Sequence, residues 1–388
     1  MLDKKQVKSI LVLGWQFFLH MFQKFILRKK SPGYDDFIEF YRADRIVPMG
    51  ERDRERHPDF SKCVVCELCD PVCPVFNAAG STRFAGPMDI ASCLSRDLTE
   101  SGAWPDPFLS TLCGACESAC PENVPVSEII VHLRRKTRIT QPENLPNFYR
   151  DAIANLDNNK GVFGKLATAS SDKKAPVLYW RGCREAQASN NTAELLKKLG
   201  VDFMTIDEVC CSGLPSELGL DYDSAPAAGR IRNSGATEIV TGCATCAKAL
   251  KAALPDMEIK LAAEVAYKSK LPADKALEGE KVAIHDPCRM PRGAQTWDPP
   301  REIARSLGGE VVVLDREKET APCCGAGGGL LEVDPDLAKS IARNRIEEVV
   351  SAGASVLVTP CELCARRLAS AVSEGDKLKV KSLAEILI

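Results

Sequence analysis

Val177-Leu-Tyr-Trp-Arg-Gly-Cys183 and Val282-Ala-Ile-His-Asp-Pro-Cys288 open two stretches that then run in step toward the end of the chain. In each, an apolar run leads through a turn to a cysteine, and a helical segment follows that ends near Gly200 or Gly308. Glycine at such an end supplies the left-handed residue that closes a helix. A second apolar run, 203–206 or 311–314, leads to Cys210-Cys211-Ser212-Gly213 or Cys323-Cys324-Gly325. A further helical segment closes at Gly235 or Gly353. A third run then reaches Thr241-Gly-Cys243-Ala-Thr-Cys246 or Thr359-Pro-Cys361-Glu-Leu-Cys364, with the same glycine-to-cysteine interval in both. Such repetition means one supersecondary unit used twice. Apolar strands alternating with helices predict two small parallel α/β sheets, with every cysteine group just past the C-terminal end of a strand, where open α/β sheets place their sites.

Each repeat supplies five thiols: Cys183, Cys210, Cys211, Cys243 and Cys246, then Cys288, Cys323, Cys324, Cys361 and Cys364. That exceeds what a tetrahedral zinc site uses. A polynuclear iron–sulfur site accommodates five, and adjacent cysteines such as Cys323 and Cys324 can serve different irons. Gly325, Gly327, Gly328 and Gly329 let main chain approach an inorganic core closely and aim amides at sulfide. They form neither a dinucleotide fingerprint nor a phosphate-binding loop.

Upstream, Cys63, Cys66, Cys69, Cys73 and Pro74 spell C-x2-C-x2-C-x3-C-P, the run that wraps a [4Fe-4S] cube with three thiolates and sends its fourth to a second cluster. Cys113, Cys116, Cys120 and Pro121 repeat it with Ser110 where the first cysteine would stand. The crossover rule assigns Cys63, Cys66, Cys69 and Cys120 to one cluster and Cys73, Cys113 and Cys116 to the other. Three ways to complete the second stay open: Cys93 from the predicted helix between 87 and 102, a serine or other non-thiolate ligand, or a [3Fe-4S] cluster. Cys93 also reads as a buried core cysteine.

Length and composition agree with this reading. A chain of 388 residues suits two or three domains. Eighteen cysteines, in a chain with no secretory signature and too large to need disulfide stapling, point to metal in a reducing, cytoplasmic setting. A net charge of -2 argues against nucleic acid as a partner.

Residues 10–27 are rich in large apolar side chains, with Gln16, His20, Gln23 and Lys24 on one helical stripe and Lys4, Lys5, Lys8, Arg28, Lys29 and Lys30 flanking them. That pattern predicts a helix docking on a membrane surface or a partner rather than a span, which would need about 20 predominantly apolar residues. Packing on the protein's own core is the plainer alternative. Residues 31–58, with Glu51, Arg52, Asp53, Arg54, Glu55 and Arg56, read as a solvated connector. The stretch 141–175 reads as a domain boundary.

Paired C-x(n)-C-C-G-x(n)-C-x-x-C domains after two ferredoxin-type motifs resemble the heterodisulfide reductase family from residue 59 to the end of the chain. The resemblance implies a non-cubane [4Fe-4S] cluster on Cys288, Cys323, Cys324, Cys361 and Cys364, and a second on the first repeat, where Ser212 interrupts the Cys-Cys-Gly. The basic-flanked helix also resembles the membrane-surface helix that precedes the ferredoxin domain of a respiratory complex I subunit.

The expected fold is therefore α+β overall. It comprises a docking helix (1–30), a mainly helical ferredoxin-type domain for two clusters (55–140), and two tandem α/β Cys-Cys-Gly domains with small parallel sheets (176–270 and 280–388). The expected function is an electron-transfer subunit at the inner face of the cytoplasmic membrane, working with a flavoprotein or a membrane quinone-reactive subunit. The second reading is a thiol–disulfide reductase in which His285 and Asp286, next to Cys288, could supply a proton. The plainer role for His285 is to hydrogen-bond and orient its loop.

Overall fold

The computed structural model describes residues 4–28, 33–41, 50–96, 107–158, 161–164, 166, 170–171, 173–183, 191–269, 275–289 and 297–388. Two compact units emerge, Met1–Gly50 and Glu51–Ile388.

In the first unit, the helix Lys4–Met21 continues as a wider π turn over Phe22–Ile26, and a short helix Tyr34–Phe40 follows. The expected helix forms with its apolar face open: Leu13, Trp15, Phe17, Phe25 and Ile26 are each at least 60 % exposed. Trp15, Phe18 and Phe22 stack along one side. Among the described residues, no helix is long and apolar enough to cross a membrane.

The second unit begins with a correction. Residues 51–56 are not a solvated connector but part of the helix Glu51–Phe60. Arg56 pairs with Glu128 at 2.9 Å and Asp59 at 2.6 Å, while Asp53 faces His132 and Arg135, so the mixed charges interlock this helix with the helix Val126–Thr140. Residues 31–32 and 42–49 of that expected connector lie outside the described residues. The helix expected between 87 and 102 is described over Pro87–Arg96.

Each repeat builds a four-stranded parallel sheet. The strands are β1 (Val177–Tyr179), β2 (Phe203–Met204), β3 (Glu238–Thr241) and β4 (Glu258–Leu261), then β5 (Lys281–Ile284), β6 (Glu310–Val311), β7 (Val356–Thr359) and β8 (Lys379–Ser382). The orders β2-β1-β3-β4 and β6-β5-β7-β8 are the same, and so is the direction of every pairing. The outer strands β4 and β8 extend beyond the three per repeat that the sequence predicts, and β2 and β6 are shorter than the apolar runs that announce them. Gly200, Gly235, Gly308 and Gly353 all take positive φ after their helices, as expected.

One apolar core is common to both sheets: Tyr179 and Val240 from the first, Val282, Ile284, Val356 and Val358 from the second, with Leu195, Ala263, Ile303 and Leu383 from the helices between them. The opposite faces carry separate cores, one around Trp180 and Ile239, the other around Ala283 and Leu357. In the expected boundary stretch, the helix Asn147–Asp157 buries Tyr149, Ala152 and Leu156 against Phe108, Leu214 and Leu218, joining the ferredoxin-type block to the first repeat.

Candidate metal centres

The two ferredoxin-type loops share an unusual backbone. Val65 (φ 60) and Glu67 (φ 64) bracket Cys66, and Leu112 (φ 52) and Gly114 (φ 76) bracket Cys113 in the same way. A β-branched valine in the left-handed region is strained, and the surrounding fold must enforce it. The result turns successive thiols inward.

Cys63, Cys66, Cys69 and Cys120 line one cavity, together with Met88, Ala91 and Val126. Cys73, Cys113 and Cys116 line another, together with Ser110 and Phe84. The structure thus brings together each group of cysteines that the crossover rule names. Burial, and then the neighbouring Asp70 carboxylate, push the Cys69 thiol up to about 12. Burial and the charge of Cys113 push Cys73 equally far, and the same causes raise Cys116 well above the ordinary range. Thiols that resist ionisation together suit a multivalent cation, which reverses the balance by supplying the missing positive charge. The amides of Phe76 and Val124 donate to the sulfurs of Cys73 and Cys120 at 3.5 and 3.4 Å, contacts of the kind that tune cluster potentials. Cys93 lines neither cavity and is buried in the core with Ile90 and Ile129.

In the first repeat, Cys210 and Cys211 hydrogen-bond each other, Cys211 reaches Cys246 at 3.3 Å, Cys246 bonds Cys243, and Cys183 faces Cys210. In the second, Cys323 bonds Cys288 and Cys324, Cys324 reaches Cys364 at 3.2 Å, and Cys364 bonds Cys361. All five expected thiols of each repeat therefore converge, and none of the cysteines is in a disulfide. The pairs Cys243/Cys246 and Cys361/Cys364 sit directly past β3 and β7. Cys323 and Cys324 do not follow their strand directly; a longer connection through the turn Lys318–Thr320 returns them to the same sheet end.

The five cysteines of the first repeat and Cys288, Cys324, Cys361 and Cys364 of the second line one shared cavity, partly open to solvent, where Arg289, Arg366 and Glu217 add charge. Cys361 lies close enough to Cys243 across it for their charges to interact.

The second repeat also meets the ferredoxin-type block. The thiol of Cys113 hydrogen-bonds that of Cys323 and acts on Cys288. Arg289 donates to the carbonyls of Leu112 (2.6 Å) and Thr111 (3.1 Å) and pairs with Glu217 at 2.9 Å. The fully buried Arg134 donates to four carbonyls, those of Pro107, Ser110, Glu217 and Gly328. A Cβ on Gly327 or Gly328 would stand 2.5 Å from a carbonyl oxygen of Thr111 or Ser110, so these glycines permit the close seam. Sequence reading did not single out Arg134, Arg289 or Glu217. Arg134 did leave a signal, standing four residues beyond Ile130 and eight beyond Val126 on the buried stripe of its helix.

His285 is fully buried, and neither ring nitrogen has a hydrogen-bond partner among the described residues, so the expected loop-orienting bond is not made. Its ring approaches the sulfurs of Cys324 and Cys364. Burial, and then the Arg345 charge, hold it neutral, down to about 3. Asp286 is committed elsewhere: its carboxylate takes both Arg301 nitrogens at 2.8 Å and the Lys318 amide at 2.7 Å.

Comparison with known proteins follows these boundaries. A cysteine-rich domain matches residues 177–251 and again 282–369, and a 4Fe-4S dicluster domain matches residues 59–124. One subunit of the dihydromethanophenazine:CoB--CoM heterodisulfide reductase of Methanosarcina acetivorans is 27% identical over 369 residues, covering 80% of this chain and 88% of that one. Its counterpart in Methanosarcina mazei is 26% identical, covering 85% and 92%. An EtfAB:quinone oxidoreductase of Syntrophomonas wolfei is 26% identical over 71% of this chain and 45% of its own length. With two converging five-thiol groups behind a crossed ferredoxin-type pair, the chain belongs to the heterodisulfide reductase-like family of iron–sulfur oxidoreductases.

Proposed function

We propose that this chain relays single electrons through four thiol-lined sites in series. Cys63, Cys66, Cys69 and Cys120 form the first, and Cys73, Cys113 and Cys116 the second. The five cysteines of the second repeat form the third and those of the first repeat the fourth. Iron–sulfur clusters held there supply reversible one-electron storage, and the protein sets the spacing, the hydrogen bonds and the exposure. The observation that carries this reading is the unbroken succession of thiols, with Cys113 against Cys323 at one seam and Cys361 facing Cys243 at the next.

Cys66 is exposed and rimmed by the exposed apolar side chains of Val64, Leu68 and Val72, which suits brief docking of a redox partner. The unpartnered apolar face of the helix Lys4–Met21, with lysines at its start, suits a membrane surface or a membrane-bound quinone-reactive subunit at the cytoplasmic face. No flavin or nicotinamide fingerprint occurs in the sequence, so any hydride chemistry of the complex is assigned to another subunit.

Anaerobically purified protein is expected to hold well over the roughly eight irons that two cubanes contain, with both cubane and atypical paramagnetic signals. Stoichiometric zinc with negligible iron would defeat the proposal.

A second reading, disulfide reduction, draws on the shared cavity, where thiols of both repeats and the cations Arg289 and Arg366 face one space that is partly open to solvent. Turnover of a disulfide by the isolated chain with a reduced dye, and none of a quinone with its partner present, would favour that reading. Since His285 is held neutral and Asp286 is ion-paired, a proton for it would come from elsewhere in the cavity.

A further inference from the structure

The two ferredoxin-type loops differ at one ligand position. Counting from the prolines, Cys66, Cys69 and Cys73 correspond to Cys113, Cys116 and Cys120, and Cys63 corresponds to Ser110. The backbone corresponds too, with left-handed residues at Val65 and Leu112 and again at Glu67 and Gly114. Ser110 is thus held in a loop still shaped to wrap a cluster, and it lines the same cavity as Cys73, Cys113 and Cys116.

Its surroundings are fixed. The carbonyl of Ser110 accepts from Arg134 at 2.8 Å, and its hydroxyl oxygen accepts from the Leu112 amide at 3.1 Å. An oxygen ligand would have to be the deprotonated hydroxyl, a far weaker acid than the thiol it stands in for. No other thiol lines this cavity. Cys120 lies in the first cavity, Cys93 lines neither, and Cys323, which meets Cys113 at the seam, is also bonded to Cys288 and Cys324 in the second repeat and receives the Gly325 amide at 3.3 Å.

We propose that the second ferredoxin-type site holds a [3Fe-4S] cluster on Cys73, Cys113 and Cys116, with Ser110 at the position left without a ligand. The proposal rests on the electron-relay reading and assigns its second station. With three thiolates and one iron fewer, such a cluster still takes up and gives back single electrons. It is placed where Cys113 meets Cys323, between the surface site and the second repeat.

The test uses the full chain, purified without oxygen and treated with excess ferrous iron and sulfide so that a cubane merely damaged by oxidation is rebuilt. Iron is counted, and low-temperature paramagnetic resonance spectra are recorded in the oxidised and reduced states. A three-iron cluster is paramagnetic when oxidised and an ordinary cubane is not. The wild type is expected to keep an oxidised-state three-iron signal that Ser110→Cys abolishes while gaining one iron per chain. Ser110→Ala, close in volume, leaves signal and iron count unchanged. Loss of iron in Ser110→Ala would show oxygen ligation, and loss of iron from this site in Cys93→Ala would show a fourth thiolate; either overturns the assignment. So does a wild type whose second site is a cubane. Zinc with negligible iron throughout would instead sink the relay reading itself, so the two failures are distinguishable.

Discussion

The guanidinium of Arg134 is fully buried, and it donates to main-chain oxygens from three parts of the chain. Arg134→Met would strand Pro107, Ser110, Glu217 and Gly328 carbonyls. A buried acceptor left unpaired costs on the order of 1–3 kcal/mol, so a loss of about 3 kcal/mol or more is expected in denaturant unfolding. Arg134→Lys restores little, because an ammonium cannot span the same fork. His285 leads to a pH dependence. Its folded form resists protonation down to about 3, against 6.5 ordinarily, so it favours the fold above 6.5 and withdraws that support as pH falls from 6.5 toward 3. The slope is up to about 1.4 kcal/mol per pH unit. His285→Phe supplies an untitratable ring, as the buried Trp180 does at the matching position of the first repeat, and should shift acid unfolding to lower pH; an unchanged acid midpoint would refute this. At this scale the cysteine groups were legible because fixed spacing is what a cluster imposes on a chain. Arg134 was not, because a basic residue within a helix is usually solvated, and only its place in line with Val126 and Ile130 betrayed it.

Among the elements, the loop of Gly327 and Gly328 decides whether the ferredoxin-type block and the second repeat can touch. Gly328→Ala places a methyl group 2.5 Å from the Ser110 oxygen at a residue with φ +59, and must push the two apart. Iron content should stay near wild type while electron equilibration across the seam slows, as read by freeze-quenched reduction. An unchanged rate would mean that the seam does not carry the current. The strands β1, β3, β5 and β7 could be read because each apolar run stops at a turn and a cysteine. The strands β4 and β8 could not, since short edge segments such as Lys379–Ser382 alternate lysine with little else. The helix Glu51–Phe60 was misread for a related reason: charges of both signs look solvated in a sequence, whether they face water or the opposite charges of a neighbouring helix.

Across the second unit, accessibility falls from the first proposed site to the third. Cys66 is exposed, whereas Cys323, Cys324, Cys361 and Cys364 are buried. Limited treatment with an iron chelator under mild oxidant should therefore bleach the cubane signal of the first site before the atypical signals of the repeats. Simultaneous loss would argue against separate sites. The duplicated architecture was legible from the repeat alone. The common core between the sheets was not, because nothing local in an apolar strand says which sheet will cover it. That core, built from Val240, Val282, Val358 and the helices between, ties both halves into one close-packed interior of low compressibility. Sulfurs mounted on such a block, around one cavity, can barely shift when charge arrives or leaves. Little nuclear rearrangement then accompanies each transfer, and a small reorganisation energy is what lets a carrier pass electrons quickly on a shallow driving force.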